Sequence, residues 1–184
     1  MYEHFTRDFG GRGSAAEVWI DKERKLVKKY YKVNGIGHRS ETIVENHYET
    51  LKQLYDAEIH WSKQFKHWAV ELYEHGEIDN GFYLIQEYCG PDLLVYYNQK
   101  TLHKEFPNIV QELHQFFLEL QDKKVYKHNH ALSNMTGKDG KIKMFDFKYM
   151  VPRTPDGRKY EHKCINDWLV KIDPGIPALL EPTI

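Results

Sequence analysis

Scattered along this chain are residues whose types and spacing suit chemistry on phosphates. Gly11-Arg12-Gly13-Ser14-Ala15-Ala16-Glu17-Val18 sets Gly11 and Gly13 close together. Such glycines let a backbone approach an anion and aim its N–H groups at it. Lys28 follows Leu26 at strand spacing, so the two share a face. Leu26 can pack under a flat ring while Lys28, a compact point charge, reaches phosphate oxygens. Glu45 lies in a helical stretch and can pair with that lysine. Asn134 and Asp146 offer an amide and a carboxylate oxygen, hard donors suited to a small divalent cation. Taken singly, each has an ordinary alternative. Gly11 and Gly13 also suit a flexible entry loop. Lys28 also suits a solvated position, with Lys29 as its rival. Glu45 is flanked by Glu41 and Glu49, and Asn134 and Asp146 also suit a polar turn and a strand end.

Chemistry at those positions needs elements to hold them. Trp19-Ile20, the polar run Asp21 to Lys25, and Leu26 to Tyr31 predict strand, turn, strand. A loop with Asn34, Gly35 and Gly37 follows. Ser40 suits an N-cap, and Val44, His47, Tyr48, Leu51, Leu54 and Tyr55 recur at helical spacing. That predicts an amphipathic helix over about residues 41–56. Val70 to Tyr73 and Gly81 to Tyr88 predict two strands about an Asp79-Asn80-Gly81 turn. Beyond Gly90-Pro91 the pattern turns helical. Pro107 and Asn108 mark a start, and Ile109, Leu113, Phe116, Phe117 and Leu120 share one helical face. Val125 to Phe147 reads as short strands and loops, with Lys138-Asp139-Gly140-Lys141 as a hairpin turn. Asp167 to Lys171 opens a last helix, stopped by Pro174-Gly175. The first half is β-rich and the second helical, an α+β order.

That serial order resembles the protein kinase-like superfamily over about residues 10–150. Gly11-x-Gly13-x-x-Ala16-x-Val18 is similar to its glycine-rich loop, with Ala16 in place of the third glycine. Leu26-Val27-Lys28 resembles the strand with the ATP-positioning lysine, and Glu45-x-x-Tyr48-x-x-Leu51 the segment with its partner glutamate. Leu84-Ile85-Gln86-Glu87-Tyr88-Cys89-Gly90 resembles the hinge. The resemblance implies Gln86 as gatekeeper, the Glu87 carbonyl and Cys89 N–H on the adenine edge, and Asp92 toward the ribose. It implies Asn134 and Asp146 as Mg2+ positions. It also implies a single bilobal kinase-like domain over residues 1–184, with an N-lobe through the hinge (1–89) and a reduced C-lobe (90–184). The expected function is a divergent phosphotransferase, with ATP and Mg2+ bound between the lobes. The acceptor is a protein hydroxyl or a small molecule.

The departures from the family pattern have chemical consequences. Where the catalytic loop of such proteins carries an aspartate five positions before the metal-binding asparagine, this chain has Asn129. An amide neither accepts a proton well nor orients a hydroxyl by charge. Loss of a general base lowers a rate by ~10²–10⁴, about 3–5.5 kcal/mol of barrier. Phosphoryl transfer nevertheless relies mostly on positioning and charge. His128 and His130 flank Asn129 as substitute bases or as ordinary packing residues, and Lys127 takes the usual histidine position. Lys148 stands where Asp-Phe-Gly has its glycine. No Ala-Pro-Glu motif or set of peptide-holding helices follows Asp146. The alternative is therefore a pseudokinase, a nucleotide-binding or regulatory module with little or no turnover.

Composition narrows the remaining classes. Lys and Arg number 26 against 27 Asp and Glu, which indicates no strongly basic nucleic-acid binder. No apolar run reaches the ~18 residues of a membrane helix, and Met1 to Phe9 lacks a secretory apolar core. The 2 cysteines, Cys89 and Cys164, make no disulfide framework, so a cytoplasmic setting is expected. The 11 histidines raise a zinc alternative at His128-x-His130 and His162-x-Cys164. Neither pair has the helical spacing or the tight Cys/His cluster of a zinc site.

Overall fold

Strand alternation and a polar turn build the first part of the molecule. In the computed structural model the described residues are 5–7, 16–32, 47–127 and 131–152. The chain divides into two compact units, Met1–Cys89 and Gly90–Ile184. The first holds β1 (Thr6–Arg7), β2 (Glu17–Asp21), β3 (Leu26–Lys32), α1 (His47–Gln64), β4 (Leu72–Ile78) and β5 (Gly81–Glu87). The strands form an antiparallel sheet in the order β1-β2-β3-β5-β4. Asp21 closes the β2–β3 turn by accepting the Arg24 N–H at 2.9 Å. The expected turn at Asp79-Asn80 joins β4 to β5, with Asn80 left-handed at φ 61°; asparagine tolerates that region better than most residues.

The two faces of this sheet do different work. Val18 opposes Lys29, Lys29 opposes Leu84, Tyr31 opposes Phe82 and Val27 opposes Gln86, so these residues share one face. On it, buried Tyr31, Phe82 and Leu84 meet Leu51 and Tyr55 of α1. The Tyr55 ring stacks on Phe82 at 4.7 Å. Its hydroxyl shares a hydrogen bond with His75 Nδ1 at 3.2 Å, and burial raises the phenol pKa.

The described part of α1 runs to Gln64, well past the expected end near Asp56. Its buried stripe is Leu51, Tyr55, Glu58 and Ser62, and Phe65 follows the helix. The spacing stays helical, but Glu58 and Ser62 are polar, so the apolar pattern stops while the helix continues.

The second unit contains α2 (Leu93–Asn98), α3 (Leu102–Glu105), α4 (Ile109–Asp122), β6 (Val125–Lys127), β7 (Met135–Lys138), β8 (Lys141–Met144) and β9 (Met150–Pro152). Short 3-10 turns span Leu132–Asn134 and Phe147–Tyr149. The expected face of α4 is buried at all of Ile109, Leu113, Phe116, Phe117 and Leu120. Strands β7 and β8 form the expected hairpin about Asp139 and Gly140, with φ of 53° and 73°; tight hairpins favour such left-handed pairs. The Glu112 carboxylate accepts the Ile142 N–H at 2.7 Å and fastens this hairpin to α4. Strand β6 pairs with β9, placing Lys127 opposite Met150.

Together the described elements make an α+β protein. No helix among the described residues is long and apolar enough to cross a membrane. The expected helix start near Ser40, the polar stretch after Arg153 and the expected helix at Asp167 lie outside the described residues.

Candidate functional site

Strand parity decides which lysine of β3 meets the helix. Lys29 lies on the face of Val27 and Tyr31 and donates to Glu58 Oε1 at 3.1 Å. The pair is buried, with side-chain exposures of 7% and 0%. Lys28 lies on the opposite face. It is also buried, at 3% exposure, with its ammonium 4.8 Å from the ring centroids of both Tyr30 and Tyr83. Leu26 and Lys28 do share a face, as expected, but α1 packs on the other one. Among the described residues, the β3–α1 ion pair is therefore Lys29–Glu58. The expected partner of Lys28, Glu45, lies outside the described residues.

Glu58 was not legible as a partner from the apolar pattern. A signal for it existed all the same. It stands three residues after Tyr55 and seven after Leu51, on the buried stripe of α1. Lys29 has the parity of Tyr31, whose burial marks the helix-facing side.

On that same face, Gln86 is 1% exposed, and its Nε2 is buried with no hydrogen-bond partner among the described residues. A buried donor left unmade is costly. Val18 joins it on this face through its pairing with Lys29. The end of β5 is tied down by its backbone: Glu87 N donates to Glu71 O and Tyr88 N to Lys25 O, both at 2.8 Å. Cys89 is half-buried. Among the described residues, Val18, Val27, Lys29 and Gln86 thus lie on one face of the sheet.

In the second unit, Asn134 and Asp146 come to the same end of the β7–β8 hairpin. Met135 opposes Met144, and the next residue out, Phe145, donates its N–H to Asn134 O at 3.2 Å. Asp146 adopts the left-handed region, φ 66° and ψ 51°. Aspartate tolerates that region better than most residues. The following 3-10 turn carries Lys148 back so that its ammonium pairs with Asp146 Oδ1. Buried Lys127 places its ammonium 5.6 Å from the Phe147 ring centroid. Among the described residues no group of three or more His, Cys, Asp and Glu could hold a metal. A small divalent cation needs no such cage when phosphate and water supply further oxygens. Asn134 and Asp146 fit that partial role, with Lys148 already on the carboxylate.

Asp92, expected toward a ribose, caps α2 by accepting the Val95 N–H at 3.2 Å. Thr136 of β7 donates its hydroxyl to Pro91 O at 2.9 Å, which anchors the segment leading into α2. Gly11, Gly13, His128, Asn129 and His130 lie outside the described residues, as do His162 and Cys164.

No protein-family model matches this chain, and no curated protein matches it in sequence. Solved structures do match. Monomeric WbdD aligns with a TM-score of 0.63 at 17% identity, over 98% of this chain and 42% of WbdD. WbdD described as a bifunctional kinase-methyltransferase aligns at 0.61 and 14%, over 94% of this chain and 38% of WbdD. WbdD co-crystallised with the kinase inhibitor LY294002 aligns at 0.60 and 14%, over 95% of this chain and 38% of that one. This chain thus spans less than half the length of WbdD. At such identities the likeness is one of fold, to part of a protein that carries kinase activity.

Proposed function

We propose that this chain is a divergent kinase-like phosphotransferase that uses ATP with Mg2+. The buried Lys29–Glu58 pair carries this reading. A lysine and a glutamate held together where no water screens them form a costly arrangement, and a fixed cation for phosphate oxygens is a use for it. The fold likeness to WbdD supports the same conclusion.

In this mechanism Lys29, rather than Lys28, holds the phosphates, and Glu58 holds Lys29. Val18 and Val27 flank the base, the Gln86 amide meets its edge, and the Glu87 carbonyl and Cys89 N–H complete that edge. The sequence resemblance assigns Gly11 and Gly13 to the phosphates. Asn134 and Asp146 would hold the metal, whose charge would offset that on the transferring phosphoryl group. The acceptor is a hydroxyl on a protein or small molecule. Its oxygen attacks the γ-phosphorus as the bond to ADP breaks, and its proton passes to His128 or His130, since Asn129 cannot take it.

The test is the thermal shift of the chain with ATP, with and without Mg2+, for the wild type and Lys29→Met. At a hundred times Kd the stabilisation is about 2.7 kcal/mol, or about 5–11 °C for a chain of this size. A Mg2+-dependent shift that disappears in Lys29→Met is expected. No shift at millimolar ATP sinks the proposal.

A second reading, a pseudokinase that binds nucleotide without turning it over, is favoured by Asn129 in the sequence and by the Lys148 ammonium on Asp146. Asn129→Asp separates the two. If only the proton acceptor is missing, phosphoryl transfer to an acceptor hydroxyl, or to water, rises by ~10²-fold or more. Nucleotide binding without any gain in turnover favours the pseudokinase.

A further inference from the structure

The Asp146–Lys148 contact is built by the backbone. Asp146 is left-handed, and the 3-10 turn Phe147–Tyr149 starts at the next residue. That sequence of conformations folds the chain back, so the side chain two residues on meets the carboxylate. Lys148 is firmly enclosed: its side chain is 4% exposed and that of Asp146 17%. The Tyr149 ring lies beside the ammonium, 5.0 Å from its centroid. An ammonium seated this way is a fixed positive charge on the oxygen that a divalent cation would take. Two cations on one carboxylate oxygen repel, and more strongly away from bulk water.

We propose that Lys148 is an intramolecular counter-ion that competes with the divalent cation for Asp146. The ammonium holds the carboxylate in place without metal and must leave Oδ1 for the metal to bind. Divalent affinity is thereby set low, and metal binding is coupled to release of Lys148. The proposal rests on Asn134 and Asp146 forming a cation site.

The experiment titrates Mn2+ alone, without nucleotide, and reads the free ion by electron paramagnetic resonance. A hydrogen bond to a charged group accounts for roughly a 10- to 100-fold change in an equilibrium constant. Lys148→Met is therefore expected to bind Mn2+ about tenfold or more tightly than the wild type, and Lys148→Met/Asp146→Asn to lose that gain. Equal affinity of Lys148→Met and the wild type overturns the proposal. So does a gain that survives Asp146→Asn.

A second measurement uses the wild type and does not depend on the variant folding. Lys148 is acylated with a water-soluble N-hydroxysuccinimide ester and quantified by mass spectrometry. Protection without metal and labelling on addition of Mg2+ are expected; unchanged labelling overturns the proposal. ATP binding is followed separately by thermal shift. If ATP binds but Lys148→Met gains nothing, the counter-ion role falls while the nucleotide reading stands. If Mn2+ affinity rises but ATP never binds, the reverse holds.

Discussion

Removing one member of the Lys29–Glu58 pair strands the other charge in the interior. The two atoms lie 3.1 Å apart, so the gross attraction at an effective dielectric of ~20 is about 5 kcal/mol. Most of that offsets the cost of taking both ions from water, and the net value of such a pair is small. Single replacements forfeit the attraction and keep the desolvation. Lys29→Met and Glu58→Gln should therefore each lower stability by about 3–5 kcal/mol. For a chain of this size that is a fall in Tm of roughly 6–20 °C. The double variant Lys29→Met/Glu58→Met buries no charge and should recover most of the loss. Lys28→Met removes an ammonium 4.8 Å from two tyrosine ring centroids, contacts that together contribute about 0.5–2 kcal/mol. Urea unfolding of the four variants beside the wild type measures these differences. An ATP thermal shift then separates structural from functional roles: it should be lost in Lys29→Met and in the double variant, and kept in Lys28→Met. The reasoning fails if Lys28→Met abolishes the ATP shift while Lys29→Met keeps it. It also fails if the single and double variants are equally stable.

Other positions test different parts of the structure. A Cβ added at Gly137 would lie 1.9 Å from the Phe106 ring, so Gly137→Ala should lower stability by about 1–3 kcal/mol, read by urea unfolding. Asp92→Ala removes the α2 cap and should cost about 1 kcal/mol while leaving the ATP thermal shift unchanged; a lost shift would favour the ribose role. Asp146→Asn should abolish the Mg2+-dependent part of the ATP shift, and it should also lower the Tm measured without ligand, because Lys148 loses a charged partner. An unchanged apo Tm would show that the contact contributes nothing to stability.

Local periodicity was enough to find most of the elements described here. The β4–β5 and β7–β8 hairpins follow from short apolar runs around turns that asparagine, aspartate and glycine can make. The buried face of α4 follows from five apolar residues at helical spacing. Such features depend on neighbours in sequence, and the sequence contains them. The hairpin between Asn134 and Asp146 brings their backbones to one end.

What only the tertiary structure decided is which polar side chain faces which partner. Lys28 and Lys29 are adjacent and chemically alike, so composition cannot rank them. The choice is made by which face of β3 receives α1, and Tyr31, Phe82 and Leu84 settle that by packing on Leu51 and Tyr55. Glu58 was hidden for a related reason: a charged residue on a buried stripe resembles the end of an apolar pattern until its partner on another element is known. The Lys148 contact depends on a left-handed Asp146, a conformation that no side-chain periodicity encodes. Sequence spacing selects elements because helices and strands repeat. Ion pairs join residues far apart in the chain, and only packing brings them within reach.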